Sequence, residues 1–214
     1  MASAGDYCWT KPALRVLALE LLVALPFVVL VRGSVYLYEA QGYPTWLALI
    51  VAAAATLDIV AVYGAWLLWR FTGRARLRAI AKWVAFPLVL GYCGHALLFL
   101  SRTNAQAEDV RGEYSATHPL LRLALSTVIL VNGDLVVTDL SRVPADYGAM
   151  GLPVLEGTRH ALQRDGWAHA VDLRTSGRSA ISNWLVERYF RAMGFRTLRH
   201  VGTADHLHVE LPLN

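Results

Sequence analysis

The feature that most constrains this chain is a set of three long apolar runs in its N-terminal half. Each run comes close to or exceeds the about 20 residues that an α-helix needs to cross a bilayer. We therefore predict three transmembrane helices, at about residues 12–32, 44–70 and 82–101. After Ser101 charged residues recur every few positions and apolar runs become short, which is typical of a folded domain outside the bilayer.

The sequence thus divides into an N-terminal membrane domain, residues 1–101, and a C-terminal domain, residues 102–214. The whole chain is 56% hydrophobic and 17% charged, which is more apolar than an average soluble protein. The C-terminal part has about 110 residues, a common size for one domain with its own core. Because the first apolar run lacks a small-x-small cleavage site and two more runs follow it, we expect a retained helix and not a signal peptide.

Basic residues predict the orientation of these helices. The segment between the second and third runs, RFTGRARLRAIAK, carries four arginines, one lysine and no acid. Such segments stay in the cytoplasm, so we expect a multi-pass protein of the cytoplasmic membrane with a cytoplasmic N-terminus. The C-terminal domain is then periplasmic or extracellular. This segment accounts for most of the net charge of +4, so that charge does not predict nucleic-acid binding.

Each apolar run also contains one ionisable residue, namely Glu20, Asp58 and His95. Ionisable residues are costly in lipid and usually face a bundle interior or a partner. Asp58 and His95 fall at similar depth, so they are able to pair. Two interpretations remain open. One is a functional site, either for a proton or ligand or with His95 as a ligand to haem or chlorophyll; the other, which we favour, is polar contacts between helices.

The C-terminal domain mixes helix and strand patterns without a regular βαβ order. Helices are predicted at residues 115–127 and 179–193, the second of them between a Ser179 cap and Gly194. Predicted strands cover residues 134–142, 167–173, 195–201 and 206–212. The last two form an antiparallel hairpin. We therefore predict a membrane α-helical part joined to an α+β domain, a small antiparallel sheet with packed helices.

The last strand contains the clearest candidate site. In an alternating strand, His206, His208 and Glu210 share one face, while the apolar residues between them share the other. Asp172 ends another apolar strand, where a buried carboxylate needs a charged partner such as a metal ion. The C-terminal domain has no cysteine, so its possible metal ligands are His, Asp and Glu.

Five segments in this order, DLVVTDLSR, TRH, HAVDLRTSGRS, GF and DHLHVELP, resemble the D,D-carboxypeptidase and hedgehog-type zinc peptidase family. That family includes peptidoglycan D,D-carboxypeptidases, D-Ala-D-Ala dipeptidases, L-alanyl-D-glutamate endopeptidases and the hedgehog signalling domain. The resemblance covers residues 115–212 and none of the apolar runs. Ala170-x-Asp172 matches the family's A-x-D motif, and Asp205-x-x-His208 matches its final motif.

The resemblance implies a role for each matched residue. A zinc ion would be held by His160, Asp172 and His208, with an open position for water. Asp205 would act as general base, and Arg142 would stabilise the oxyanion or hold a substrate carboxylate. His206 would stabilise the tetrahedral intermediate.

The first metal ligand is where this chain departs from the family pattern. The family places a histidine seven positions before the aspartate, and here that position is Asp165. His160 copies the S-x-H motif but lies twelve positions before Asp172, which requires five inserted residues. We rank His160 first, Asp165 second and His169 third for this place.

These observations predict a membrane-anchored zinc peptidase that hydrolyses peptidoglycan stem peptides outside the cytoplasmic membrane. Two alternatives remain. The altered first-ligand motif is compatible with a catalytically inactive domain that binds cell-wall peptide. The chain is also compatible with a structural subunit of a membrane protein complex, in which the helices matter and the domain only packs.

Overall fold

The computed structural model describes residues 7–142, 158–202 and 205–213, and it contains three long N-terminal helices. They are α1 (Tyr7–Glu39), α2 (Thr45–Thr72) and α3 (Leu77–Leu98), of which the last includes a π-helical turn at Ala81–Ala85. All three are long and apolar enough to cross a membrane, as predicted, although their bounds differ from the predicted ones by several residues.

The described residues of the C-terminal part form three further α-helices and one four-stranded sheet. The helices are α4 (Glu108–Gly112), α5 (Pro119–Val131) and α6 (Ala180–Met193). The strands are β1 (Val137–Asp139), β2 (Ala170–Arg174), β3 (Arg196–His200) and β4 (His206–Glu210). They lie in the order β1-β2-β4-β3, and every neighbouring pair is antiparallel. The small antiparallel sheet is confirmed, while its resemblance to the hedgehog-type fold stays a prediction.

Local signals explain where the two long helices of this part begin and end. Helix α5 starts four residues later than predicted because the ring of His118 caps it, with Nδ1 accepting the Leu120 N–H at 3.2 Å. Pro119 takes the first helical position, where its missing N–H costs nothing. Helix α6 has the predicted cap, since Ser179 accepts from the Ser182 N–H, and it ends at Gly194 with a φ of 101°.

The sheet has one apolar and one polar face. Val171, Leu173, Leu207 and Val209 are buried and belong to the main hydrophobic core. The intervening residues of β4 are half-buried. The predicted alternation of β4 is therefore confirmed, and its histidines lie on the face away from this core.

Helix α5 joins this core to the membrane helices. The guanidinium of Arg122 donates to the carbonyl of Leu97 at 2.5 Å, and the hydroxyls of Thr127 and Tyr92 lie 2.6 Å apart. α5 therefore runs antiparallel to α3, with its C-terminal end pointing back toward the middle of the helices. One continuous core includes residues of α1, α2, α3, α5 and the sheet.

The ionisable residues of the long helices do not meet inside the bundle. The side chains of Glu20, Asp58 and His95 are all exposed on its outer surface. Within the described residues no hydrogen bond or ion pair joins Asp58 to His95. The pairing that their similar depth would allow is therefore absent from this arrangement.

The C-terminal domain packs closely on α1 at Gly194, where there is no room for a side chain. A Cβ atom at this position would lie 2.9 Å from Cγ1 of Val35 and would also overlap the guanidinium of Arg32. We expect Gly194→Ala to cost about 1–2 kcal/mol for its left-handed backbone and about 1–3 kcal/mol more for the overlap. Thermal unfolding in detergent micelles measures the sum of these two costs.

Gly177→Ala is the matched control, because Gly177 also has a positive φ, of 76°, but a Cβ there meets nothing within 4 Å. It should show only the backbone cost. Equal losses in the two variants would contradict tight packing of the domain on α1.

Candidate metal centre

Two histidines and one aspartate meet on the polar face of the sheet. Nδ1 of His208 lies 2.8 Å from Oδ1 of Asp172. Nε2 of His160 lies 3.3 Å from the same oxygen and 3.3 Å from Nδ1 of His208. His160 and Asp172 are buried, and His208 is half-buried. These three ligand atoms are close enough to hold one metal ion.

The strand register brings two of these residues together. Asp172 in β2 lies directly opposite His208 in β4, and residues opposite each other in an antiparallel pair point to the same face. His160 reaches them from the segment before β2. Its carbonyl accepts the backbone N–H of Arg142 at 2.9 Å, which ties this segment to the chain just after β1.

The residues between His160 and β2 form a tight turn, which brings His160 back toward Asp172. The Gln163 N–H donates to the Trp167 carbonyl at 2.9 Å, and the Gly166 N–H donates to the Gln163 carbonyl at 2.9 Å. Leu162 and Ala168 form an antiparallel bridge at the base of this turn. Residues 163–167 therefore loop out, and His160 lies beside Asp172.

The second ring nitrogen of His160 fixes its tautomer. Nδ1 lies 2.8 Å from the carbonyl oxygen of Leu140, which only accepts hydrogen bonds, so Nδ1 carries a proton. In the neutral ring the lone pair is then on Nε2, the nitrogen that faces Asp172. Metal-binding histidines typically have this second hydrogen bond, to a carbonyl or carboxylate.

Burial and pairing both act on the charges of this cluster. Without a metal, protonated His160 and His208 donate hydrogen bonds to Asp172. Burial raises the pKa of the Asp172 carboxyl, but these bonds outweigh it and hold that pKa well below its usual range. A metal ion would take the place of the two donated protons. Burial lowers the pKa of His160, but the hydrogen bond and charge of Asp172 more than offset this, so that pKa is raised. Asp172 is therefore an anion at neutral pH, as a metal ligand must be.

Arg142 lies beside the cluster. Its Nη2 atom is 3.5 Å from Oδ2 of Asp172, and it forms a close ion pair with Asp139. Its side chain is 22% exposed. Asp139, which was not predicted to belong to the site, therefore holds this guanidinium at the edge of the cluster.

Two further histidines line the same strand face. Nε2 of His206 lies 3.7 Å from Oδ2 of Asp172, and the ring of His200 stacks on that of His206 at 4.6 Å between centroids. His200 was not predicted as a site residue. The signal was present in the predicted hairpin, because pairing its two strands sets His200 opposite His206.

Asp205 does not join the cluster. Its Oδ1 accepts from Nε of Arg199 and from the hydroxyl of Thr175, both at 2.7 Å, and its Oδ2 accepts from Nη2 of Arg199 at 2.9 Å. These bonds lower the pKa of its carboxyl to about 2. Arg199 lies opposite Leu207 in the hairpin, so both side chains point to the apolar face of the sheet. Asp205, which pairs with Arg199, therefore lies toward that face and away from the side chain of His206.

A second group of side chains also brings potential ligand atoms together. It consists of His118, Asp165 and His169. Nε2 of His169 lies 2.8 Å from Oδ2 of Asp165, and Nε2 of His118 lies 3.8 Å from the same oxygen. The two alternatives considered for the first ligand, Asp165 and His169, thus belong to this separate group.

Hydrogen bonds distinguish this second group from the first. Nδ1 of His118 accepts the Leu120 N–H, so in the neutral ring the proton is on Nε2, which lies 3.0 Å from the Thr45 hydroxyl. Burial lowers the pKa of His118 to about 2, which keeps the ring neutral. His118 therefore has no lone pair to offer a metal at the group's centre, whereas His160 has one.

Comparison of the chain with protein-family models, curated proteins and solved structures found no match. Most of the loop 143–165, which is predicted to shape substrate choice, lies outside the described residues.

We expect one divalent metal ion per chain, with Zn²⁺ as the probe. His160→Ala and His208→Ala should each abolish binding, because each removes one ligand atom of the triad. His118→Asn should keep full stoichiometry, since asparagine still caps α5 and His118 is not a ligand. Metal content after dialysis measures this. Two ions per chain, or loss of the metal in His118→Asn, would contradict the assignment.

The pairing of Asp205 predicts a stability difference that depends on pH. Its folded pKa of about 2 lies below the value of about 3.9 for an unfolded aspartate. The pairing therefore stabilises the fold fully above about pH 4, and this stabilisation is lost as pH falls toward 2. Denaturant unfolding of wild type and Asp205→Asn should differ at pH 6 and converge near pH 2. A difference that did not change with pH would refute this.

Proposed function

We propose that this chain is a membrane-anchored zinc peptidase that hydrolyses peptide bonds of peptidoglycan stem peptides on the outer side of the cytoplasmic membrane. The observation that carries this proposal is the cluster of His160, Asp172 and His208. Two imidazole nitrogens and one carboxylate oxygen are the donor set of many catalytic zinc sites. The resemblance of the surrounding segments to zinc peptidases of the cell wall supplies the substrate class.

The spacing of the donor atoms suits zinc. Three ligands at about 2.0–2.1 Å from a tetrahedral ion lie about 3.3 Å from one another. The distances between the three donor atoms are 2.8, 3.3 and 3.3 Å. The tautomer of His160 directs its lone pair to the same point. Zinc, when bound, acidifies a water molecule to a pKa of about 7 and polarises a carbonyl.

His206 is better positioned than Asp205 to move the proton of the attacking water. It lies on the strand face that carries the metal ligands, with Nε2 3.7 Å from Asp172. Asp205 is engaged with Arg199 and has a pKa of about 2, so it is a weak base. We therefore assign the general base to His206, and Asp205 becomes a residue that stabilises the hairpin.

Arg142 is proposed to bind the carboxylate of the peptide or the developing oxyanion. It is held beside Asp172 by Asp139, and its side chain is partly exposed. A planar guanidinium can contact a carboxylate through two N–H groups. Substrate would then be fixed next to the metal ligands by a charge that is already in position.

The packing of the domain supports an outer location for the cluster. The domain contacts α1 and α2 at the ends that flank the connection around Gly42, as at Tyr38 with His118 and Thr45 with His118. The Arg-rich segment lies at the other end of α2. If that segment is cytoplasmic, the cluster lies on the opposite side of the membrane, where peptidoglycan is located.

One observation favours the alternative of a subunit in a membrane complex. Glu20, Asp58 and His95 are exposed on the outside of the helices, and intramembrane ionisable residues usually face a partner. Purification in mild detergent tests this, because a subunit would migrate as a stoichiometric larger assembly. The two functions are compatible, since the partner would contact the helices and not the cluster.

The enzymatic proposal predicts two classes of variant. His208→Ala and Asp172→Ala should lose both zinc and the cleavage of purified peptidoglycan fragments. His206→Gln should keep zinc and lose about 10²–10⁴-fold in kcat, because it removes the general base. Mass spectrometry of the cleaved fragments measures the turnover.

Asp205→Asn is the matched control, since it neutralises the neighbouring residue without touching the cluster. It should retain most of the activity. If Asp205→Asn were inactive with zinc bound while His206→Gln remained active, the general base would be Asp205 as the motif implies. No cleavage by zinc-loaded wild type would leave a non-catalytic peptide-binding domain.

A further inference from the structure

A groove of about 520 Å³ separates α1 from the C-terminal domain. Its walls are the stretch of α1 between Leu19 and Val28, the end of α5 with Leu130 and Val131, and residues of α6 that include Tyr189. Its volume falls within the about 300–1,000 Å³ of typical small-molecule sites. The groove is separate from the candidate metal centre. Helices α5 and α6, which line the groove, pack with the apolar core, whereas the cluster of His160, Asp172 and His208 lies on the polar face of the sheet.

The groove lies at the depth of the membrane. Its α1 wall is in the middle of the span Ala13–Glu39. From Leu30 onward α1 is largely buried against the rest of the protein, whereas most residues before it are exposed. The about 20 residues that cross the apolar layer therefore precede Leu30, and the groove occupies the half of this layer nearer the domain.

The groove presents hydrocarbon to its occupant. The Thr127 hydroxyl donates to the Leu123 carbonyl at 2.8 Å, and the Tyr189 hydroxyl donates to the Ala124 carbonyl at 2.9 Å. Both hydroxyls are thus used inside the protein. Glu20, the one carboxylate of the lining, is near the end of the α1 wall farthest from the domain.

The surface next to the groove has the same character. In the last turn of α5, Leu130 is 59% exposed and Val131 is 86% exposed. On α6, Leu185 is 54% exposed and lies one turn before Tyr189 on the same side of the helix. Such a surface is unfavourable in water, but it is the surface expected of groups that face lipid.

We propose that this groove binds one acyl chain of a membrane phospholipid, so that the end of α5 and the adjoining face of α6 lie within the outer leaflet. The C-terminal domain is then partly embedded in the membrane and is not held above it by a flexible tether. The lipid bridges α1 and the domain along a line where protein packing is incomplete.

Photocrosslinking tests this proposal on the full chain. The protein is reconstituted in phosphatidylcholine and phosphatidylglycerol vesicles that contain a phospholipid with a diazirine in mid-chain, and labelled peptides are identified by mass spectrometry. We expect label on residues 127–131 and around Tyr189. Ala24→Trp, which fills the groove, should reduce this label several-fold and leave the label near Val62, an exposed residue of α2 at the depth of the groove, unchanged. Glu20→Gln, which changes only charge, should leave both unchanged.

The proposal is overturned if α2 is labelled but α5 and α6 are not, as expected when water or a partner helix occupies the groove. It is also overturned if Ala24→Trp folds and labels like wild type. Should Ala24→Trp not fold, a nitroxide at Val131→Cys, with Cys8 and Cys93 replaced, gives a second test. Faster collision with oxygen than with a water-soluble nickel chelate supports the lipid position, and the reverse order excludes it.

Discussion

The carboxylate of Asp172 imposes the strongest requirement on the C-terminal domain. It is 4% exposed, and an unpaired charge at that depth costs several kcal/mol or more. Four cationic or polar groups surround it, from His160, His206, His208 and Arg142. These groups come from the segment after β1, the segment before β2 and strand β4. One buried charge thus requires the register of the sheet and the position of the looped segment to be correct together.

Helix α5 links the apolar parts of the molecule, because it packs on both the long helices and the core of the C-terminal domain. Its residues 119–128 are buried, and it contacts the long helices on one side while belonging to the same core as the sheet. A domain built in this way cannot move independently of the membrane helices without exposing that core. The candidate metal centre is therefore held at a fixed position relative to the three long helices.

Patterns of period and composition predicted much of this arrangement. Three apolar runs, the alternation of β4 and the caps of α6 depend on local chemistry, so the sequence alone was enough to find them. The position of His160 was ambiguous, because the turn at residues 162–168 that brings it to Asp172 has no simple spacing rule. The contacts of Asp58 and His95 were not predictable either, since equal depth in a membrane does not determine which way a helix faces. The burial of α5 against the long helices depends on tertiary packing that no local pattern encodes.

The two His/Asp/His groups show why ligand composition is a weaker criterion than the hydrogen bond on the far side of each ring. His160 and His118 are both buried beside a carboxylate and a second histidine. The backbone carbonyl of Leu140 accepts a hydrogen bond from the ring of His160, whereas the backbone N–H of Leu120 donates one to the ring of His118. In the neutral rings the proton is thereby placed on opposite nitrogens, so neutral His160 directs a lone pair into its cluster and neutral His118 directs an N–H into its group. The same three residue types thus form a candidate metal centre in one place and, in the other, a polar contact between α2 and the C-terminal domain.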